Sequence, residues 1–492
     1  MPFPRLSGMH PVAAAVPRLT SLAERPALRR LATAFERAGH ELALVGGPVR
    51  DALLDRPVTD LDLTTDARPD TIAEIVRPLA SAQWDTGRAF GTVAARIAGE
   101  AVEITTYRRD TYVPSSRKPT VEFGDSLDGD LRRRDFTVNA IAVRLPSLAI
   151  VDPTNGIEAA LAKRLTTPSP AVESFDEDPL RMLRAARFTA QLGFTLDEEG
   201  VEAMRALAQR IEVVSQERIR DELAKLLAAD PARPGLELLV ATGLADRVLP
   251  ELPALRLEVD AQHRHKDVYE HSLTVLEQAV ELEHERFPGT PPDLVLRLAA
   301  LLHDIGKPAT RRFEPGGQVS FHHHDVVGAK LARKRLRALR FANEQIEQVA
   351  TLIELHQRFF GYGDAAWTDS AVRRYVRDAG DLLPRLHILV RADVTTRNAR
   401  KVRRLAQSYD DLERRIAELD AQERLDAIRP DLDGEAIMRE LGLRPGPEVG
   451  RAYRFLLELR LDEGPLGEVE ATSRLRRWWD EQGEDTARDA NR

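Results

Sequence analysis

Leu44-Val45-Gly46-Gly47-Pro48-Val49-Arg50-Asp51, followed by Asp60-Leu61-Asp62-Leu63, decides how this chain is read. An apolar strand, Glu41–Val45, runs into two glycines and then a helix. Glycine lets backbone N–H groups come close to a phosphate, and a helix N-terminus adds positive potential there. Pro48 suits a first helical turn, and Arg50, one turn in, can reach the same anion. Asp60–Thr64 alternates with period two, which predicts a second strand. On a strand, residues i and i+2 share a side, so Asp60 and Asp62 point together while Leu61 and Leu63 face a core. Two carboxylates so placed repel unless a proton or cation joins them, and oxygen-only ligands favour Mg²⁺. Taken singly, the glycine pair is an ordinary turn and the Asp-x-Asp a solvated strand face. The phosphate cradle and the acid pair together point to phosphoryl or nucleotidyl transfer.

Working outward, Ala27–Ala38 reads as a helix before the first strand. Thr92–Ile97 and Ala101–Thr106 flank Ala98-Gly99-Glu100, a hairpin signal, and Ala140–Arg144 and Leu148–Val151 flank Pro146-Ser147. Glu103, on the strand Val102–Thr105, reads either as a solvated strand residue or as a third carboxylate, and is not counted in the site. Tyr107–Phe123 is rich in Arg, Pro and Ser and reads as a mobile loop. After Pro170 strand signals stop, and Leu180–Leu192, Glu198–Gln209, Gln216–Ala228 and Gly235–Thr242 read as helices, with Ser215 as an N-cap. The expected architecture is α+β: a small mixed-sheet head, an all-α neck, a second metal-bearing helical domain and a helical tail. The boundaries are residues 1–25 for a loose leader, 26–165 for the head, 166–260 for the neck, 261–405 for the metal domain and 406–492 for the charged tail.

At this point the chain resembles the bacterial CCA-adding tRNA nucleotidyltransferases and their relatives, the bacterial poly(A) polymerases. Gly46-Gly47-x-x-Arg50-Asp51 with Asp60-x-Asp62 is similar to the head of that family. Arg133-Arg134-Asp135-Phe136-Thr137-Val138-Asn139-Ala140, Asp152-Pro153-x-x-Gly156-Ile157, Glu177-Asp178-Pro179-Leu180-Arg181-x-x-Arg184-x-x-Arg187-Phe188 and Ser215-x-Glu217-Arg218-Ile219 follow in the family's order. The resemblance implies that Asp60 and Asp62 hold Mg²⁺, which activates the tRNA 3′-hydroxyl and steadies the leaving pyrophosphate. It implies that Gly47, Arg50 and Arg134 bind the incoming nucleotide, and that Asp178 and Arg181 form the base-selecting template, with Arg184 and Arg187 nearby. It also gives the Tyr107–Phe123 loop a counterpart that helps switch nucleotide choice. Pro48 departs from the small residue usual in relatives, and is expected to stiffen the turn. On their own terms, Asp178 accepts and Arg181 donates hydrogen bonds, and at i and i+3 they share one helix face that Arg184 and Arg187 continue. The competing reading is an exposed Asp–Arg helix pair, and for Arg134 a salt bridge with Asp130 or Asp135.

The second constellation is His271, His303, Asp304, His324, His356 and Asp393. Leu298–Leu302 is an apolar helical run ending in His303-Asp304-Ile305-Gly306-Lys307, where Gly306 and Pro308 stop the helix. This pattern resembles the HD phosphohydrolase superfamily, with His324 and His356 as the extra ligands of its two-metal members. His322 and His323 adjoin His324, so the choice among the three stays open. The resemblance implies a divalent metal of unassigned identity, whose bound water could attack phosphorus.

The 492 residues carry 71 Lys+Arg against 79 Asp+Glu, a net charge of −8, and no Cys. Disulfides, thiolate metal sites and a Cys nucleophile are excluded. Apolar residues make up 43%, enough for several cores, so wholesale disorder is excluded as well. No apolar run approaches a membrane span, and a cytoplasmic protein with no membrane partner is expected. Whole-chain acidity says little about local patches. Lys330, Arg333, Lys334, Arg335, Arg337 and Arg340 form one acid-free basic stretch, and Arg397, Arg400, Lys401, Arg403 and Arg404 form another. They suit a phosphate track for tRNA, or else are solvated helix faces. The expected activity is template-independent CCA addition to tRNA 3′ ends from CTP and ATP with Mg²⁺. The alternatives are a poly(A) polymerase or partial CCA-adding enzyme, an HD metal phosphohydrolase acting on tRNA ends, and a non-catalytic RNA-binding protein.

Overall fold

A computed structural model describes residues 11–84, 91–111, 120–124, 126–256, 267–315, 319–361, 367–396, 398–423 and 429–489. Residues 1–10 of the expected leader, 112–119 of the expected loop and Arg397 lie outside them. The chain divides into two compact units, Met1–Pro253 and Ala254–Arg492.

The first unit opens with α1 (Pro11–Ala23) and α2 (Pro26–Arg37). The loose leader expected over residues 1–25 is corrected for residues 11–23: Ala15, Leu19 and Leu22 recur at helical spacing, and all three are buried in the core. In α2 the buried stripe is Ala27, Leu28, Leu31, Ala32 and Phe35. Strand β1 (Leu42–Val45) leads into α3 (Gly47–Leu53), then come β2 (Leu61–Thr65), α4 (Pro69–Val76), β3 (Ala80–Trp84), β4 (Thr92–Ile97) and β5 (Glu100–Thr106). A hairpin of β6 (Arg108–Thr111) and β7 (Thr120–Phe123) forms the base of the stretch read as a mobile loop, with Arg108 opposite Phe123. After α5 (Leu127–Arg132), β8 (Ala142–Leu145) and β9 (Ile150–Val151) complete a seven-stranded sheet in the order β3-β4-β5-β2-β1-β8-β9. Only the β2–β5 pairing is parallel, and it sets Asp62 opposite Glu103. Leu61 and Leu63 are buried on the other side of β2, as the alternation requires.

The head passes into helices at α6 (Gly156–Leu161). Asp152 accepts hydrogen bonds from the backbone N–H groups of Gly156 (2.7 Å) and Ile157 (2.9 Å), which caps the helix. Helices α7 (Ala171–Glu177), α8 (Leu180–Leu192), α9 (Glu198–Leu207), α10 (Gln216–Leu227), α11 (Arg233–Ala241) and α12 (Ala245–Val248) follow. Ser215 Oγ caps α10 by accepting from the Arg218 backbone N–H at 3.4 Å.

In the second unit, α13 (Val268–Arg286), α14 (Leu294–Leu302), α15 (Lys307–Thr310), α16 (His324–Ala338), α17 (Asn343–Leu355), α18 (Asp369–Ala379) and α19 (Leu383–Ala392) form one bundle, followed by the long α20 (Ala399–Glu423). Gly306 and Pro308 do not stop α14, which ends at Leu302 with His303 as its C-cap; Gly306 is instead the N-cap of α15, and Pro308 sits in that helix's first turn, where proline is tolerated. The tail, α21 (Gly434–Leu441), α22 (Pro447–Glu463) and α23 (Glu468–Asp489), buries its own cluster of Leu432, Ile437, Ala452, Leu456, Ala471 and Leu475. No helix among the described residues is long and apolar enough to cross a membrane.

Gly156 is required by close approach, since a Cβ there would overlap the Thr137 carbonyl oxygen. Gly156→Ala is expected to lower stability by about 1–3 kcal/mol, read as a lower urea midpoint. An unchanged midpoint would contradict the packing described.

Candidate active site

The first site forms where β1 meets α3. Gly46 has φ +76°, a conformation L side chains rarely adopt, and this bends the strand into the helix. Pro48 lies in the first turn of α3 and is buried there, consistent with a stiffened bend. A Cβ on Gly46 would lie 3.2 Å from Arg134 Nη1, and one on Gly47 would lie 3.7 Å from Arg50 Nη2. Both guanidinium groups therefore stand directly over the glycine turn.

Asp62 lies next to this turn and is only partly exposed. Burial first, then Glu103 and Asp60, push its carboxyl up to about 6 against the opposing pull of Arg134 and Arg50. Asp60 is exposed and immediately precedes β2, one residue later than the strand start expected. Three carboxylates thus gather against two cations. That charge pattern suits a divalent cation on oxygen ligands, because burial and the neighbouring acids oppose the ionisation of Asp62.

Each arginine is held from behind. Arg134 Nη2 donates to Asp130 Oδ2 at 3.1 Å, and Arg133 Nη2 to Asp130 Oδ1 at 2.8 Å. Asp130 is buried, and these two arginines overcome its desolvation to hold its carboxyl below the usual range. Arg50 donates to Asp51 through Nε (2.9 Å) and Nη2 (3.0 Å), and to Asn139 Oδ1 through Nη1 (2.7 Å). Asp130 entered the sequence reading only as a salt-bridge partner. Asn139 did not enter it as a site residue, although it stands in the quoted motif.

Two expectations about the neck need correction. Asp178 and Arg181 do not share a helix face. Asp178 sits between α7 and α8 with extended dihedrals (φ −132°, ψ 94°), because the residue before a proline is driven out of the helical region. Nor do Arg181, Arg184 and Arg187 form an open positive row. Arg181 is buried and donates to Ser174 Oγ (2.7 Å) and the Arg133 carbonyl (2.7 Å). Arg184 pairs with Asp135 at 2.6 Å, and Arg187 with the buried Glu222 at 2.6 Å. Asp178 meets Arg218 at 3.4 Å.

The second site gathers all six expected residues at helix ends. His271 lies in the first turn of α13, His324 opens α16, and His303, His356 and Asp393 close α14, α17 and α19. The ligand atoms of His271, His303 and Asp393 lie within 4.8 Å of one another, as do those of Asp304, His324 and His356. Nδ1 of His303, His324 and His356 meets the carbonyl three residues earlier, at 2.9, 2.8 and 2.5 Å. A carbonyl only accepts, so each Nδ1 carries the proton when the ring is neutral, and each Nε2 then has the lone pair a metal would take, which on His356 accepts from Gln357 Nε2 at 2.9 Å. His324 is thus picked out from His322 and His323. Burial pulls His324 below its usual range and His356 down to about 4, which favours the neutral ligand form. Asp304 Oδ1 and His324 Nε2 are buried, 3.4 Å apart, and make no hydrogen bond. Orphaned polar atoms of this kind are costly, and a shared cation satisfies both. The donor set fits a divalent metal of the imidazole-binding class.

Of the basic stretches, Lys330, Lys334, Arg337 and Arg340 on or just after α16, and Arg400, Lys401, Arg403 and Arg404 on α20, are exposed. Arg333 is drawn to Glu347 at 2.8 Å.

Known proteins match this arrangement. Residues 42–166 match the model of the poly A polymerase head domain, 193–255 a probable RNA and SrmB-binding site of polymerase A, and 268–398 the HD domain. Head and HD domains of these kinds generally use divalent metals. The A-adding tRNA nucleotidyltransferase of Deinococcus radiodurans is 36% identical over 89% of this chain and 96% of its own length. The CC-adding tRNA nucleotidyltransferase of Thermus thermophilus is 35% identical over 88% and 93%. The CCA-adding enzyme of Streptococcus thermophilus is 31% identical over 89% and 92%. Among solved structures, the Bacillus stearothermophilus CCA-adding enzyme in complex with CTP is 25% identical, with a TM-score of 0.64 over 94% of this chain and all of that one.

A carboxyl raised on folding binds its proton more tightly in the folded state, so stability falls as pH rises between its ordinary 3.8 and about 6, and the cost persists above that. In metal-free buffer near neutral pH, Asp62→Asn is therefore expected to raise the melting temperature. Added Mg²⁺ should stabilise the wild type more than the variant; a lower melting temperature for Asp62→Asn would contradict the crowding of acids. In the second unit, a Cβ at Gly306 would overlap the His324 carbonyl. Gly306→Ala is expected to reduce bound metal, measured by elemental mass spectrometry on the full chain, and undiminished metal would count against the helix-end geometry.

Proposed function

The chain belongs to the family of tRNA nucleotidyltransferases, and from that premise we propose that it adds CCA to tRNA 3′ ends from CTP and ATP. The carrying observation is the set of acids at Asp62, with Asp60 and Glu103, facing Arg50 and Arg134 across the glycine turn. Asp60 and Asp62 would hold Mg²⁺, with Glu103 beside them. Bound there, the ion supplies Lewis-acid activation of the 3′-hydroxyl and charge neutralisation on the leaving pyrophosphate. Arg50 and Arg134 would grip the triphosphate, which can approach because Gly46 and Gly47 present no side chain. Asp178 offers acceptors and Arg181 a buried, fixed guanidinium. Together they would read the Watson–Crick edge of the incoming base, with Arg218 steadying Asp178. The exposed basic residues of α16 and α20 would follow tRNA phosphates. A cytoplasmic location accords with a tRNA substrate and a chain without Cys.

The relatives divide among A-adding, CC-adding and CCA-adding enzymes, so the decisive experiment offers each labelled nucleotide separately to tRNA lacking its end. Full CCA addition predicts incorporation from CTP alone, and from ATP only once two C residues are in place. ATP use restricted to primers already ending in CC marks an A-adding enzyme, and arrest after two C residues a CC-adding one. Asp62→Ala should lower the rate by about 10³-fold or more, the several kcal/mol a lost metal site removes.

The two closed ligand groups of the second site favour an additional reading, a metal-dependent phosphohydrolase acting on tRNA ends. Metal-loaded protein is expected to open 2′,3′-cyclic ends, water adding at phosphorus as one ring P–O bond breaks to leave a terminal phosphomonoester and a free hydroxyl, and His303→Ala to abolish the opening. Ring opening that survives His303→Ala would remove this second activity.

A further inference from the structure

We propose that Asp135 and Asn139 are positioning residues, a buried relay tying the base-reading helix α8 to the triphosphate-gripping Arg50. The inference rests on the nucleotidyl-transfer reading above and adds to it two residues whose side chains are bonded to Arg184, Phe136 and Arg50.

The relay is continuous. Arg184 of α8 lies 2.6 Å from Asp135 Oδ2. Asp135 Oδ1 accepts from Asn139 Nδ2 at 3.0 Å and from the Phe136 backbone N–H at 2.8 Å. Asn139 Oδ1 accepts from Arg50 Nη1 at 2.7 Å. Asp135, Asn139 and Arg50 are each no more than 9% exposed, so water cannot substitute for these partners. The polarity of the chain admits one arrangement. A carboxylate can only accept and a guanidinium can only donate, so the amide must turn its N–H toward Asp135 and its oxygen toward Arg50. At this position an aspartate could not donate, and an aliphatic residue could do neither.

Packing follows the same line. The Phe188 ring of α8 has the guanidinium carbons of Arg50, Arg184 and Arg187 at 5.4, 5.8 and 4.0 Å from its centroid. A displacement of α8 on meeting a base therefore reaches Arg50 by two contacts, the Phe188 face and the Asp135–Asn139 bridge. Arg50 Nη2 stands beside Gly47, where a phosphate would come. Loss of the bridge leaves Arg50 in place in the sequence but no longer fixed in angle, and misplacements near 1 Å at a reacting centre cost about 10²-fold in rate.

Two double-variant cycles on the full-length protein test the relay, using CTP or ATP addition to a tRNA primer. Asn139→Ala is expected to lower kcat/KM for both nucleotides by about 10- to 100-fold, with the KM for tRNA unchanged. In an Arg50→Ala background the same change should cost less than about twofold, because it acts through Arg50. Asn139→Ala and Arg184→Gln, whose side chains meet only through Asp135, should likewise combine to less than the product of their separate losses. Losses that multiply in both cycles would reduce Asn139 to a packing residue and overturn the proposal. If Asn139→Ala melts below the assay temperature, Asn139→Ser takes its place with the same two outcomes. A wild-type protein that adds no nucleotide would instead defeat the underlying reading, so the two failures are distinguishable.

Discussion

Mutual repulsion among Asp60, Asp62 and Glu103 is the constraint around which the first unit is arranged. Strand alternation brings the first two together, and the parallel pairing of β2 with β5 adds the third directly opposite Asp62. Left alone, such a group would protonate or open. The fold answers with Arg50 and Arg134, each braced by buried polar side chains so that it cannot swing away. Burial raises the Asp62 carboxyl most, and Glu103 and Asp60 add to it against the pull of Arg134 and Arg50. A divalent ion bound there would supply the opposing charge.

The second unit solves a related problem with different ligands. Three of its imidazoles, His303, His324 and His356, sit at helix ends, where the carbonyl three residues back takes the Nδ1 proton, while His271 Nδ1 meets Thr395 Oγ1. That single device fixes ring orientation and leaves Nε2 pointing at the shared space. Asp304 is drawn between His303 at 3.2 Å and Lys307 at 2.6 Å. A protonated His303 ring and the Lys307 ammonium outweigh its desolvation and hold its carboxyl well below the usual range; a cation on His303 Nε2 would act in the same direction as that proton.

Local features were legible in the sequence wherever one physical rule governed them. The Leu61–Leu63 alternation, the Gly46 bend and the Ser215 cap depend on neighbours a few residues apart, and the structure has them, although the strand runs Leu61–Thr65, not Asp60–Thr64. The leader was misread because prolines at 11 and 17 masked the helical spacing of Ala15, Leu19 and Leu22. Asp178 was placed on a helix although Pro179 follows it; that proline was the available signal. Glu103 became part of the site only through a β2–β5 register spanning some 40 residues, which no local pattern encodes. The burial of Arg181 and the ion pairing of Arg184 and Arg187 were also beyond a spacing argument, since their partners Ser174, Asp135 and Glu222 come from other elements.

The central claim is that the acids at the glycine bend share one divalent ion. Anomalous diffraction from crystals of the full-length protein soaked in Mn²⁺ measures this directly. The account predicts a manganese peak bonded to the carboxylates of both Asp60 and Asp62, on the side of Arg50 and Arg134. A map with manganese only among the histidines of the second unit, or with Asp60 and Asp62 turned away from a common peak, would contradict it.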